Sequence, residues 1–185
     1  MQILVLSGSR NPEGRTARAI DAIGRGVAKA GGNTERFFLP ELNLERCRQC
    51  ESDGWGVCRQ EERCIIDDDF SSLVDKIKSS DVIVFATPVY FSDLSESLRG
   101  FLDRFRRIGA HKTAKPTQGI SAVGLCLAGG GGGGAPSACL NLERILQRCG
   151  FDVVDMIPLR RQNLDTKLQI LELIGAWLAT KPTSK

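Results

Sequence analysis

The chain has 185 residues, 42% of them hydrophobic and 25% charged, the length and balance of one globular domain whose core folds without staples. A formal net charge of +3 and an aromatic content of 6% exclude a dedicated nucleic-acid binder, which needs a strongly basic surface or a base-stacking platform. No stretch approaches the roughly 20 apolar residues of a membrane-spanning helix. The opening also lacks the basic start and long apolar run of a secretory signal, so a cytoplasmic protein without a membrane partner is expected.

Ile3–Ser7 is a short apolar run, the pattern of a strand buried on both faces. Thr16–Ala30 follows with Ile20, Ile23 and Val27 at helical spacing, stopped by Gly31-Gly32. Thr34–Leu39 reads as a second strand. Residues 40–63 are polar, irregular and cysteine-bearing, longer than most loops of an α/β fold, which marks them as functional or mobile. Asp67-Asp68-Asp69 predicts an N-terminal capping cluster for a helix over Phe70–Lys78. Val82–Ala86 is the strongest strand. Leu94–Arg107 is amphipathic, with Leu94, Leu98, Phe101, Leu102 and Phe105 on one face. Ile120–Leu127 is a fourth strand, and Pro136–Cys149 a helix with proline in its first turn and Gly150 past its end. Phe151–Met156 makes a fifth strand and Asp165–Ala179 the last helix.

Strands alternating with helices imply a parallel sheet with right-handed crossovers. The expected architecture is a single α/β domain over residues 1–185, five-stranded in the order 2-1-3-4-5, with a cysteine-bearing loop at 40–66. In that order ligands bind beyond the carboxyl ends of the strands, beside the switch between strands 1 and 3. The loops after strands 1, 3 and 4 should therefore carry the chemistry.

The first of these, Ser7 to Thr16, joins a strand to a helix start. Its small residues leave backbone N–H groups free to face an anion, and the helix dipole adds attraction. Ser9 and Thr16 offer hydroxyls, and Arg10 and Arg15 offer charged donors. It is neither a Walker loop nor the G-x-G-x-x-G dinucleotide fingerprint. The second, Ala86 to Ser92, has Pro88 to stiffen it and flat surface from Tyr90 and Phe91, suited to a planar heterocycle. The third is the glycine run Gly129–Gly134, whose backbone can approach a ligand closely.

Gly8-Ser9-Arg10 with Gly14 and Thr16, Ala86-Thr87-Pro88-Val89-Tyr90 followed by Phe101-Leu102-Asp103-Arg104, and the glycine loop together resemble the NAD(P)H-dependent FMN reductase and iron–sulfur flavoprotein group. The resemblance covers residues 1–157 and implies a flavodoxin-like three-layer sandwich. It implies that Ser9, Arg10, Gly14, Arg15 and Thr16 hold the FMN phosphate. Pro88, Val89, Tyr90 and Phe91 would line the isoalloxazine, and Gly129, Gly130, Gly131 and Gly132 would close its far side. It also implies a homodimer or homotetramer.

Cys47, Cys50, Cys58 and Cys64 have the spacing C-x2-C-x7-C-x5-C. Thiolates are soft ligands for zinc or an iron–sulfur cluster. The iron–sulfur flavoproteins place three cysteines as C-x2-C-x2-C and a fourth before an acidic helix start. Here Asp53 stands at the third position and Cys58 arrives late. A [4Fe–4S] cluster, zinc and uncoordinated or reversibly oxidised thiols all remain open on the spacing. Cys126, Cys139 and Cys149 fall in apolar patterns and read as small core hydrophobes, and His111, the sole histidine, as a surface residue.

The expected activity is that of an FMN-dependent oxidoreductase. Electrons pass from NAD(P)H through bound flavin to a second acceptor such as a flavin or quinone, with no obligatory acid or base from the protein. The alternative is an iron–sulfur flavoprotein carrying electrons to a redox protein through a cluster at the four cysteines.

Overall fold

Every strand of the sheet runs parallel to its neighbours, and the five strands, numbered along the chain, stand in the order 2-1-3-4-5. A computed structural model describes residues 1–61, 63–108 and 115–182. In chain order the elements are β1 (Gln2–Ser7), α1 (Arg15–Lys29), β2 (Asn33–Phe38), α2 (Phe70–Lys78), β3 (Val82–Val89), α3 (Glu96–Phe105), β4 (Ser121–Ala128), α4 (Ala135–Cys149), β5 (Asp152–Arg160) and α5 (Leu164–Leu178). This is the flavodoxin-like arrangement that the alternating pattern predicts. His111 lies outside the described residues.

The two-residue periodicity of the central strands sorts the core into two halves. Leu4, Leu6, Ile83 and Phe85 face α2, α3 and α4, whereas Ile3, Val5, Val82 and Val84 face α1 and α5. Both sets are fully buried. Glycine makes the closest contact of the second layer: a Cβ on Gly26 of α1 would lie 1.8 Å from the Glu172 carbonyl oxygen of α5, and one on Gly175 of α5 would lie 2.0 Å from the Ile23 carbonyl oxygen.

Two strands run further than the sequence predicts. β3 continues through Thr87 and Pro88 to Val89, with Pro88 paired to Leu127 and Val89 to Ala128. Thr87 is buried, and its hydroxyl accepts from the Ser95 N–H at 2.9 Å. β5 continues past Met156 to Arg160 and contains Pro158, which is tolerated because β5 is an edge strand.

The Asp67–Asp69 cluster caps α2 through Asp68, whose carboxylate accepts from the Phe70 N–H at 3.2 Å, but it does more than cap. Asp69 occupies the N-cap of α2 without a side-chain capping bond. Its carboxylate accepts instead from the Asn43 N–H at 2.7 Å, and Asp68 accepts from the Glu45 N–H at 2.8 Å. Asp68 also takes two bonds from Arg104 of α3, at 2.6 and 3.0 Å, and Arg104 donates to the Glu45 carbonyl at 3.0 Å. The acids therefore fasten the base of the cysteine loop to α3. Among the described residues of that loop two short 3-10 turns form, Leu39–Glu41 at its start and Val57–Arg59.

Candidate functional site

The first loop is wound on its own side chains. The Ser9 N–H donates to the Ser7 hydroxyl at 3.3 Å, the Asn11 N–H to Ser9 Oγ at 3.2 Å, and the Glu13 N–H to Asn11 Oδ1 at 2.9 Å. The chain then enters α1 through Gly14, with no side-chain cap and no acidic residue in the first turn. The leading amides of this helix, and its positive dipole end, are thus left to an anion. Thr16 is buried at the turn, whereas Arg15 is exposed and forms no ion pair among the described residues.

The second loop closes on a tight turn. Tyr90 and Asp93 exchange two backbone hydrogen bonds of 3.0 Å each, and Phe91 and Ser92 between them have φ of 49° and 65°. Non-glycine residues seldom hold this conformation, and the pair projects the Phe91 ring fully into solvent beside a 55% exposed Tyr90. The third loop turns back on itself through a Gly132 N–H to Gly129 carbonyl bond of 2.7 Å. A Cβ on Gly129, Gly130, Gly131 or Gly133 would meet nothing within 4 Å, so this side of the loop is open. Gln162 wedges the loop from behind, donating to the Gly130 carbonyl at 3.3 Å. Gly134 packs so closely on the second loop that a Cβ would fall 2.7 Å from Ser92 Cα.

Together the three loops enclose one cleft of about 860 Å³ at the carboxyl ends of β1, β3 and β4, within the usual range for cofactor sites of roughly 300–1,000 Å³. Ser9, Gly14, Arg15, Thr16, Pro88, Val89, Tyr90, Phe91 and Gly129 to Gly132 all line it. Arg10 does not: its side chain turns outward to Glu96, 3.3 Å away, and borders a second cavity beside the cysteine loop. Asn11, Arg18, Ser92, Leu127 and Gly133 also line the cleft, and so does Glu13, an acid expected from the sequence to point outward, away from a phosphate. Of these, Asn11 had a visible signal, as an Asx-type residue in a turn before a helix.

A flavin mononucleotide suits this cleft on its own geometry. One end presents an uncapped helix start and a free arginine to a phosphate, and the other faces two exposed aromatic rings across open glycine backbone. The cysteines do not suit a cluster in the same way. Among the described residues no three His, Cys, Asp or Glu side chains are arranged to hold a metal ion. Asp53, at the position of the third clustered cysteine, is taken up by Arg59 at 2.6 Å and by the Trp55 N–H at 3.0 Å. Cys47, Cys50, Cys58 and Cys64 do converge, but on a cavity of only about 20 Å³, room for about one water molecule.

The family model for NADPH-dependent FMN reductases matches residues 1–162. An iron–sulfur flavoprotein of Methanocaldococcus jannaschii is 34% identical over 132 residues, 70% of this chain and 65% of that one. An iron–sulfur flavoprotein of Methanosarcina thermophila is 31% identical over 105 residues, 56% and 52% of the two chains. The match thus spans between half and two thirds of the length of these curated relatives. Among solved structures, an NAD(P)H:quinone oxidoreductase from Methanothermobacter marburgensis superposes with a TM-score of 0.79 at 23% identity, covering 96% of both chains. An archaeal flavodoxin superposes with a TM-score of 0.63 at 15% identity, covering 98% of both. These two likenesses carry the fold.

Proposed function

The chain belongs to the family of NADPH-dependent FMN reductases, and from that premise we propose that it binds FMN in the three-loop cleft and moves electrons from NAD(P)H to a small-molecule acceptor such as a flavin or quinone. The observation that carries the reading is the matching of the cleft's two ends to the two ends of the cofactor. FMN held there would supply the redox chemistry, hydride acceptance from a nicotinamide and electron release to an acceptor.

The protein's part is positioning. The first-turn amides of α1, with Ser9, Thr16 and Arg15, hold the phosphate. Pro88, Val89 and the strained Tyr90–Asp93 turn set one wall for the ring. The Gly129–Gly133 backbone, braced by Gln162, forms the facing wall and keeps it free of side chains where nicotinamide and acceptor must stack in turn. No side chain in the cleft is assigned as an acid or base. The same reading places all of residues 1–185 in one domain and the protein in a homodimer or homotetramer, which light scattering coupled to gel filtration tests directly.

The visible spectrum of anaerobically purified protein tests the central claim. Oxidised-flavin bands that bleach on addition of NADPH and return with a quinone are expected. A protein that stays colourless after incubation with FMN and desalting, and that does not turn over added FMN with NADPH, would overturn it.

A further inference from the structure

Four cysteines lining one cavity too small for a cluster call for a different chemistry. Cys50 is exposed, while Cys47, Cys58 and Cys64 are half-buried. The cavity wall is completed by Trp55, with the Arg107 guanidinium 4.1 Å from its ring centroid, and by Arg104. Both arginines carry an unmet donor: the Nε atoms of Arg104 and Arg107 are buried and hydrogen-bond to nothing among the described residues. Buried donors of this kind are rare and mark a place where an acceptor is wanted. The Cys64 sulfur lies against the Arg104 guanidinium, and Arg48 interacts electrostatically with both Cys50 and Cys64. Cys50 and Cys64 line the same small cavity as these two arginines, so both sulfurs share one confined space with the buried donors.

We propose that Cys50 and Cys64 are a redox-active dithiol that exchanges with small disulfides to form a reversible intramolecular bond. The accessible Cys50 sulfur attacks one sulfur of a disulfide RSSR, forming a Cys50–SR mixed disulfide and expelling RS⁻, which takes up the proton lost from Cys50. Cys64 then attacks the Cys50 sulfur and expels the second thiol, which receives the Cys64 proton. The two thiols are oxidised, RSSR is reduced to two RSH, and a dithiol reverses the sequence. A bond of this type needs its two Cβ atoms about 3.5–4.5 Å apart. Among its described residues the intervening chain forms one 3-10 turn, and it carries the glycines Gly54 and Gly56, the first at φ 77°.

The test uses the full chain, purified anaerobically, reduced with dithiothreitol and desalted, then mixed with glutathione disulfide. Intact mass and peptide mapping follow the products, iron and acid-labile sulfide are measured on the same sample, and a Trp177→Phe background leaves Trp55 to report by fluorescence. The expected product has lost two hydrogens, links the Cys50 and Cys64 peptides, changes Trp55 emission and reverts with dithiothreitol. Cys64→Ser should stop at a glutathione adduct on Cys50. Cys50→Ser should slow the reaction about tenfold or more, as the accessible nucleophile is gone. Separate adducts without an internal bond, a bond joining another pair, or stoichiometric iron and sulfide with the four thiols unreactive would each overturn the proposal. None of these readouts depends on FMN, so the outcome is independent of the flavin reading.

Discussion

Asp68→Asn is the substitution to which this architecture should be most sensitive. The Asp68 and Arg104 side chains are 0% and 2% exposed and form a two-pronged ion pair, and the guanidinium lies 4.1 Å from the Phe70 ring centroid. An asparagine keeps the shape but leaves Arg104 charged in a dry site. Removing one partner of a buried pair costs about 3–5 kcal/mol, against a total stability of about 5–15 kcal/mol. For a chain of this size that is a fall in Tm of about 6–20 °C. Replacing both partners with apolar groups, as Asp68→Leu with Arg104→Met, should cost less than Asp68→Asn alone, because no charge is stranded. The pH dependence adds a second signature. Burial pushes the Asp68 carboxyl up, but the Arg104 hydrogen bond and the N–H groups of Glu45 and Phe70 outweigh it and hold the group below the usual carboxylate range. A depressed folded value means that this contribution is complete above the unfolded value of about 3.9 and is lost as pH falls through the folded one. Urea titrations of wild type and D68N from pH 7 downward should therefore converge below about pH 4. A D68N cost under about 1 kcal/mol at pH 7 would refute the reasoning, since the pair would then behave as if exposed.

Arg15→Ala should weaken FMN binding about fivefold at low salt, roughly 1 kcal/mol for an exposed charge on a phosphate, with the difference shrinking at high salt. Arg10→Ala should leave affinity within about twofold, as an exposed pair with Glu96 contributes little. Calorimetric titration with FMN separates the two, and equal losses would contradict the assignment. Gly134→Ala, at φ 82° and against Ser92, should cost more than about 1 kcal/mol of stability and shift the Tyr90–Asp93 turn. Its FMN affinity should fall with it, and unaltered affinity would show that the turn does not form the cleft wall. Cys149, whose thiol burial pushes up to about 12, and Cys126, raised by its hydrogen bond with Cys139 and by burial, should resist alkylation at pH 8 until the protein unfolds. Rapid labelling of either in native protein, read by mass spectrometry, would place them at the surface instead.

The sheet order was legible because short apolar runs such as Val82–Ala86 and Ile120–Leu127 alternate with helix-length amphipathic segments, and parallel connections leave few topologies. The strand ends were harder to read. Thr87-Pro88 and Pro158 carry turn signals locally, yet both lie within strands: Thr87 finds its partner at Ser95, eight residues on, and Pro158 sits where no neighbour asks for its missing N–H. The Asp67–Asp69 cluster was only partly legible for the same reason. Three acids before a helix promise a cap, and Asp68 does accept from the Phe70 N–H, but the same carboxylate also takes a buried Arg104 from α3, 36 residues away.

The cleft followed from topology once the sheet was known, since the chain must turn at the carboxyl ends of β1, β3 and β4, and glycine and aromatic residues supply its two walls. What sequence does not give is the direction of each side chain. Arg10 and Arg15 are equivalent as cations in a phosphate loop, and only the winding of that loop around Ser9 and Asn11 sends one to Glu96 and leaves the other at the rim. Glu96 connects this loop to the other distinctive part of the protein. It binds Arg10 at 3.3 Å and Arg46 of the cysteine loop at 3.7 Å, and the neighbouring Ser97 hydroxyl donates to the Gly8 carbonyl at 3.1 Å. At the other end of the same ten-residue helix, roughly 12 Å along its axis, Arg104 holds Asp68 and the cysteine cavity. One rigid element thus touches the phosphate loop with its first turn and the thiols with its last. Ser97 and Arg104 are two side chains of one helix, each seated against a different site.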